Sequence, residues 1–306
     1  MYNTDKTLTI RSTPQNRPGG DKQQKDRINT YYSEAGPDYE IWSKAFNMHY
    51  GFFRKGMNPF RREPMLNQMS QEVFERLKLD IHKKPALLDM GCGVGASMRY
   101  LAKKYQGLSI RGITIVPWQI RKGKSLNCQA GLDHRLEITA GDFTKTNFQN
   151  MSFDAAYAIE SACHAPGPAK TSFIKEAFRI LKPGGRLVVA DGFIKNPHIP
   201  FSNFTKNSYR NLCESWALPQ MAEIELFVAT LKQTGFKKVT VEDISWKVAP
   251  SVAHSPFLIL KFLLKKLFKG EKLGQQSWNN LKGVFLTNIL GLKRKKFGYY
   301  LVSAEK

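Results

Sequence analysis

The segment Leu87-Leu88-Asp89-Met90-Gly91-Cys92-Gly93-Val94-Gly95 limits the fold more than any other part of the chain. An apolar strand pattern over 86–90 runs into glycines at alternate positions, and a helical pattern follows over 97–105. Glycine tolerates positive φ and, lacking a Cβ, lets a ligand approach the backbone. The helix start beyond it offers unpaired N–H groups. Strand, bare turn and helix in that order open an α/β unit whose ligand sits at the strand's carboxyl end.

The rest of the chain keeps this alternation. Strand patterns lie over 109–116, 135–140, 155–159, 186–191 and 238–244, with helical ones over 67–79, 172–181 and 224–234. The turn Lys182-Pro183-Gly184-Gly185 stops the helix over 172–181, because proline cannot continue it and glycine relaxes the backbone. Such alternation predicts an α/β fold: a doubly wound, Rossmann-like, mostly parallel sheet with helices on both faces. Residues 297–304 suit a closing antiparallel strand. Residues 197–222 and 246–296 break the alternation and are expected to be helical cap insertions over the ligand edge. The predicted organisation is a flexible basic arm over 1–28, poor in apolar periodicity, then an aromatic-rich lid over 29–66. A cofactor-binding core over 67–245 includes the 197–222 cap. A basic amphipathic insertion and final strand fill 246–306. At 306 residues and 42% hydrophobic content the chain supports a sizeable core.

Two cofactors compete for the glycine turn. Gly91, Gly93 and Ala96 satisfy the G-x-G-x-x-G/A pattern of a dinucleotide site. The next strand, however, ends Gly112-Ile113-Thr114-Ile115, with no carboxylate for a ribose. Asp89, two residues before the glycines, offsets the charge of a sulfonium or ammonium ligand and sits badly beside a pyrophosphate. A tight turn without a ligand is the plain alternative. Further on, Asp142-Phe143 after the third strand suits an exocyclic amine and a purine ring, or an ordinary helix cap. The stretch Tyr157 to Pro166 carries Glu160, Cys163 and His164 at a strand's carboxyl end, where a substrate meets the cofactor.

Charge adds a partner. Lys+Arg 47 against Asp+Glu 25 gives +22, which attracts nucleic acid, acidic small molecules or an anionic lipid surface. The four cysteines are far apart with no CxxC pair, which excludes a disulfide framework and a zinc site. Glu160, Cys163 and His164 lack a fourth ligand, so no metal is expected. There is no apolar leader and no run long enough to span a membrane, so a cytoplasmic protein, peripheral on a membrane, is expected. Over 255–272, Lys261, Lys265, Lys269 and Lys272 share one helical face, and Leu260, Leu263, Leu264 and Leu267 the other; Leu258 and Phe262 interrupt the polar side. This suits a helix in a membrane interface with its lysines on anionic head groups. A cap helix with a solvated lysine face is the alternative.

These motifs together resemble class I S-adenosylmethionine-dependent methyltransferases across residues 29–250. Asp89-x-Gly91-x-Gly93-x-Gly95 is similar to their first motif, Asp142 to their adenine-side acid, and Leu181 to Gly185 to their turn before the fifth strand. Tyr157 to Pro166 resembles the matching stretch of sterol C-24 methyltransferases. Gly112-Ile113-Thr114 with Pro117 and Gln119 is similar to tocopherol methyltransferases, as is Trp42 followed by His49-Tyr50-Gly51-Phe52. Trp216-Ala217-Leu218-Pro219 recurs in related small-molecule enzymes. The usual ribose acid is replaced around Thr114. The resemblance implies S-adenosyl-L-methionine as cofactor, held by Asp89, Gly91, Cys92, Gly93, Gly95, Thr114, Gln119, Asp142 and Phe143. It implies methyl transfer to a hydrophobic isoprenoid or sterol-like acceptor, with C-methylation favoured. A quinol, a tocopherol-type aromatic or a small amine is the alternative. Alkene methylation creates a carbocation that Tyr31, Tyr32, Trp42, Tyr50 or Phe53 can face, and Glu160, His164 or His49 can take the proton. A nucleic-acid partner is not expected, since neither an Asn-Pro-Pro-aromatic run nor a Pro-Cys pair is present. Lys261, Lys265 and Lys269 are expected to meet the membrane.

Overall fold

The computed structural model describes residues 20–306. Five parallel strands form its centre: β1 (Leu87–Met90), β2 (Ile110–Thr114), β3 (Leu136–Ala140), β4 (Phe153–Ile159) and β5 (Leu181–Ile194). A two-residue strand β6 (Ala222–Glu223) extends the end of β5. Strands β7 (Lys237–Asp243) and β8 (Phe297–Glu305) complete a sheet ordered β3-β2-β1-β4-β5-β8-β7. β8 wedges between β5 and β7 and runs antiparallel to both. This is the predicted closing strand.

Burial on both faces explains why the central strands read as unbroken apolar runs. Side chains alternate. Leu88, Ala156, Ala158, Leu187 and Val189 enter one core cluster, and Leu87, Ala155, Tyr157, Val188 and Ala190 the other. Helices α6 (Thr171–Ile180) and α8 (Ile224–Thr234) supply Phe173, Ile174 and Phe227 to the first. Helices α3 (Arg62–Leu77) and α4 (Ala96–Lys104) supply Met69, Val73, Met98 and Leu101 to the second. The Lys182–Gly185 turn does not connect two elements. It is a bulge inside β5, where the register with β4 shifts between Leu181 and Arg186.

Three features depart from the sequence expectation. Residues 20–28 are not a flexible arm: they begin α1 (Gly20–Ala35), which buries Ile28, Tyr31 and Ala35 against Val116 and Ala217. Residues 1–19 lie outside the described residues. Helix α5 (Pro117–Gln129) shows no clean apolar period, because its buried side consists of Gln119, Gly123 and Asn127. The third departure is in the cap. Here α2 (Tyr39–Trp42), α7 (Asn203–Ser215), α9 (Ser245–Ala253), α10 (Ser255–Phe268) and α11 (Gln275–Gly291) cover the carboxyl edge of the sheet. Leu258 and Phe262, which interrupt the lysine face on the helical wheel, are the side of α10 that packs, against Trp42, Leu281 and Val284. Leu260, Leu264 and Leu267 are exposed instead, beside exposed Lys261, Lys265 and Lys269. Among the described residues no helix is long and apolar enough to cross a membrane.

Candidate active site

Sheet order reverses between β1 and β4, which opens a crevice at their carboxyl ends. A cavity of about 750 Å³ occupies it. Asp89 projects from β1 with 4% exposure. Burial lifts its pKa to about 7, only partly offset by the Tyr157 hydroxyl behind it. Apart from that hydroxyl, nothing offsets the burial, and among the described residues no cationic side chain pairs with the carboxyl. A buried acid in this position is satisfied by a cation. The loop beside it is bare by necessity: Gly91 and Gly93 have φ of 104° and 54°. A Cβ on Gly91 would overlap the Ser161 side chain. Gly95 does not line the cavity. It is the N-cap of α4, where a Cβ would press on Ile138.

On the ribose side a neutral pair stands where a carboxylate is usual. Thr114 Oγ1 donates to Gln119 Oε1 at 2.6 Å, and both residues are buried. Cys92 forms part of the cavity wall. Asp142 and Phe143 line the far end. Asp142 accepts from Thr144 N and Oγ1, and Lys25 Nζ of α1 lies 2.7 Å from its other oxygen. Burial alone would raise the Asp142 pKa, but Lys25 and Thr144 reverse this and hold it below the usual range. Helix α1 therefore roofs this cavity, tied to its rim through an ion pair.

A second cavity of about 640 Å³ lies under the cap, walled by Tyr31, Tyr39, Trp42, Leu212 and Trp216 among others. Five residues line both cavities: Tyr32, Met48, His49, Glu160 and His164. All three sequence-predicted bases thus stand at the junction. Tyr50 lines the second cavity alone, and Phe53 lines neither.

The three bases differ in readiness. His49 Nδ1 lies 2.8 Å from the Tyr50 carbonyl oxygen, which can only accept, so the proton sits on Nδ1. Its Nε2 then accepts from Ser97 Oγ at 3.3 Å, and Ser97 itself receives a bond from Ser70. Burial lowers its pKa to about 4. His164 is likewise lowered to about 4 by burial, and its Nε2 meets Tyr32 Oη at 3.1 Å. Glu160 is different. It holds φ of 49°, a strained backbone for a non-glycine residue, at the end of β4. Tyr50 N and the Tyr299 hydroxyl both donate to Oε1, at 2.7 and 2.8 Å. Burial raises its pKa to about 8. A base poised near neutrality that lines both cavities, with only Oε1 engaged by Tyr50 and Tyr299, is the best placed of the three.

Three supporting residues escape sequence reasoning. Tyr299 arrives from β8, far along the chain. Asp191 accepts from Cys163 N and Gly192 N, and burial lifts its pKa to about 6. Lys170, fully buried, donates to the carbonyls of Cys163, Ala165 and Gln220 and so pins the loop after Glu160. Among the described residues no His, Cys, Asp and Glu cluster can hold a metal ion.

A bare loop at a sheet's switch point, with an uncompensated acid beside it and an aromatic at the far end, fits an adenosine-bearing cation and not a pyrophosphate. Fold and site therefore define a Rossmann-like enzyme that uses such a cofactor. Residues 88–189 match the family described as Methyltransferase domain. A probable chloroplastic tocopherol O-methyltransferase of Oryza sativa subsp. japonica is 28% identical over 92% of this chain and 78% of its own. A cycloartenol-C-24-methyltransferase of the same plant is 32% identical over 72% of this chain; the match spans 61% of that relative. A cyclopropane synthase structure from Mycobacterium tuberculosis superposes with a TM-score of 0.75 at 17% identity, covering 92% of this chain and 98% of that one. The protein is a class I S-adenosylmethionine-dependent methyltransferase of the branch that includes the sterol C-24 and tocopherol enzymes. S-adenosylmethionine is its methyl donor.

Proposed function

We propose that the protein methylates an isoprenoid- or sterol-like acceptor held in the second cavity, with carbon as the favoured target. The junction carries this reading: Glu160 joins a bare-loop cavity to an aromatic one large enough for a lipid-sized ligand. When bound, the cofactor supplies an electrophilic methyl group on a positively charged sulfur. Asp89 offsets that charge, the loop from Gly91 to Val94 gives it room, and Thr114 with Gln119, Asp142 and Phe143 hold the nucleoside. The aromatic walls exclude water and present π faces to positive charge that develops on an alkene. Glu160 Oε2 takes the departing proton, while Tyr50 N and Tyr299 fix its other oxygen. Support comes from the sterol and tocopherol relatives. The same base also serves a phenol, so a quinol acceptor is the second reading, favoured by the tocopherol relative's match over nearly the whole chain.

The exposed leucines and lysines of α10 support a peripheral position on an anionic membrane. Charge reversal at Lys261, Lys265 and Lys269 is then expected to abolish flotation with anionic vesicles. The deciding experiment for the acceptor incubates protein and isotopically labelled methyl donor with host lipid extract. Label in a prenyl or sterol product supports the reading. Label confined to water-soluble amines or nucleic acid overturns it.

A further inference from the structure

The second cavity has a mouth, and its rim is unusual. A residue that lines a cavity and is also largely exposed marks the opening. Trp246 and Leu292 meet both conditions, with 76% and 81% exposure. Arg294 lines the cavity too, and its guanidinium carbon sits 4.0 Å from the Trp246 ring centroid. Lys293, Lys295 and Lys296 flank it, and Lys247 follows Trp246. Between Ile244 and Ala304 the chain holds one acid, Glu271. Beyond the rim, α10 leaves Phe257, Leu260 and Leu264 exposed. Large apolar side chains left in water within so cationic a surface mark a contact with something both apolar and anionic. A bilayer of anionic lipid has that pair of properties in depth order: head groups first, acyl chains beneath. Tryptophan and arginine together suit the boundary between the two. Nucleic acid satisfies the charge and leaves the apolar groups unanswered.

We propose that the Trp246, Leu292 and Arg294 rim is the membrane-seated entrance to the acceptor cavity, through which a lipid passes from the bilayer without crossing water. This rests on the acceptor reading above for what passes through, and on the rim's own chemistry for where it docks. The basic run at 293–296 meets anionic head groups. Trp246 and Leu292 reach the acyl boundary. The Arg294 and Trp246 pair then parts or swings as the occupant enters.

The test uses the full chain with phosphatidylcholine vesicles, with and without phosphatidylglycerol. Wild type is expected to float with the anionic vesicles. The Trp246→Ser, Leu292→Ser double variant is expected to lose about tenfold in partition, from the apolar area no longer inserted. Unchanged binding of the methyl donor shows that the variant is folded. Brominated acyl chains report position directly: they should quench wild-type indole emission more than that of Trp246→Phe. Equal quenching in the two proteins, or full flotation of the double variant, overturns the proposal. So does preference for a DNA duplex over anionic vesicles in competition. Selective quenching at Trp246 with no methylated lipid from the extract would support the docking surface while overturning the acceptor reading.

Discussion

Replacing Asp89 by asparagine removes one titrating proton from the cofactor cavity and tests the electrostatic basis of the site. In the free protein burial holds this carboxyl at a pKa of about 7. At pH 6 it therefore carries about 0.9 proton and at pH 8 about 0.1. A cation at about 4 Å, at the effective dielectric of a protein site, contributes about 4 kcal/mol, or about three pKa units. Cofactor binding then strips the carboxyl of its proton at either pH. Calorimetry in buffers of differing ionisation enthalpy should show about 0.9 proton more released by wild type than by Asp89→Asn at pH 6, falling to about 0.1 at pH 8. Taking the difference cancels Glu160, which lines the same cavity. Wild-type affinity should drop about tenfold from pH 8 to pH 6, while that of the variant changes little from this source. At pH 8 the variant should bind about 10³-fold more weakly, for the loss of that same contact of about 4 kcal/mol. Equal proton release in the two proteins would refute the reasoning.

The same carboxyl also bears on stability. Its folded pKa lies above the ordinary value, so its contribution is complete at low pH and declines as pH climbs from about 4 to about 7. Free of ligand at pH 8, Asp89→Asn should melt at a higher temperature than wild type. Glu160→Gln should cost about 10²- to 10⁴-fold in turnover with cofactor affinity kept. Because Glu160 must be ionised to take a proton, wild-type kcat/KM should rise with pH through about 8, and a flat profile would exclude it as the base. Gly91→Ala forces a Cβ onto Ser161 at positive φ; it should lower Tm by the equivalent of about 1–3 kcal/mol and abolish cofactor uptake, both read by thermal shift with and without ligand. Lys25→Ala unties α1 from Asp142. For a partly exposed ion pair the loss is at most about 1 kcal/mol, so stopped-flow cofactor release should quicken by no more than about fivefold.

Much of the architecture is legible in the sequence because the central strands are buried on both faces and their turns need glycine or proline. Asp89, the glycine loop and Glu160 are readable for the same reason: each lies at or just beyond a strand end that its own segment defines. Thr114 and Gln119 come instead from the resemblance to tocopherol methyltransferases. What is hidden depends on distant partners. α5 turns Gln119, Gly123 and Asn127 inward, so no apolar period announces it. On α10 a wheel sorted by charge puts the lysines opposite the leucines, yet the chain buries Leu258 and Phe262 because Trp42, Leu281 and Val284 wait there. Asp191, Lys170 and Tyr299 carry no local pattern. Tyr299 reaches Glu160 across 139 positions, and only the sheet order brings them together.

That sheet order has a consequence for how the chain is born. Arg186 on β5 pairs with Glu305, 119 positions later. Until the ribosome has released Phe297 to Glu305, one flank of β5 and both flanks of β7 are open edges that any other strand can extend. Such late-closing pairings are slow to form and leave nascent chains prone to clumping. Chaperone dependence during synthesis is therefore expected to track β8, and a circular permutant that delivers this strand before β5 should fold with less help.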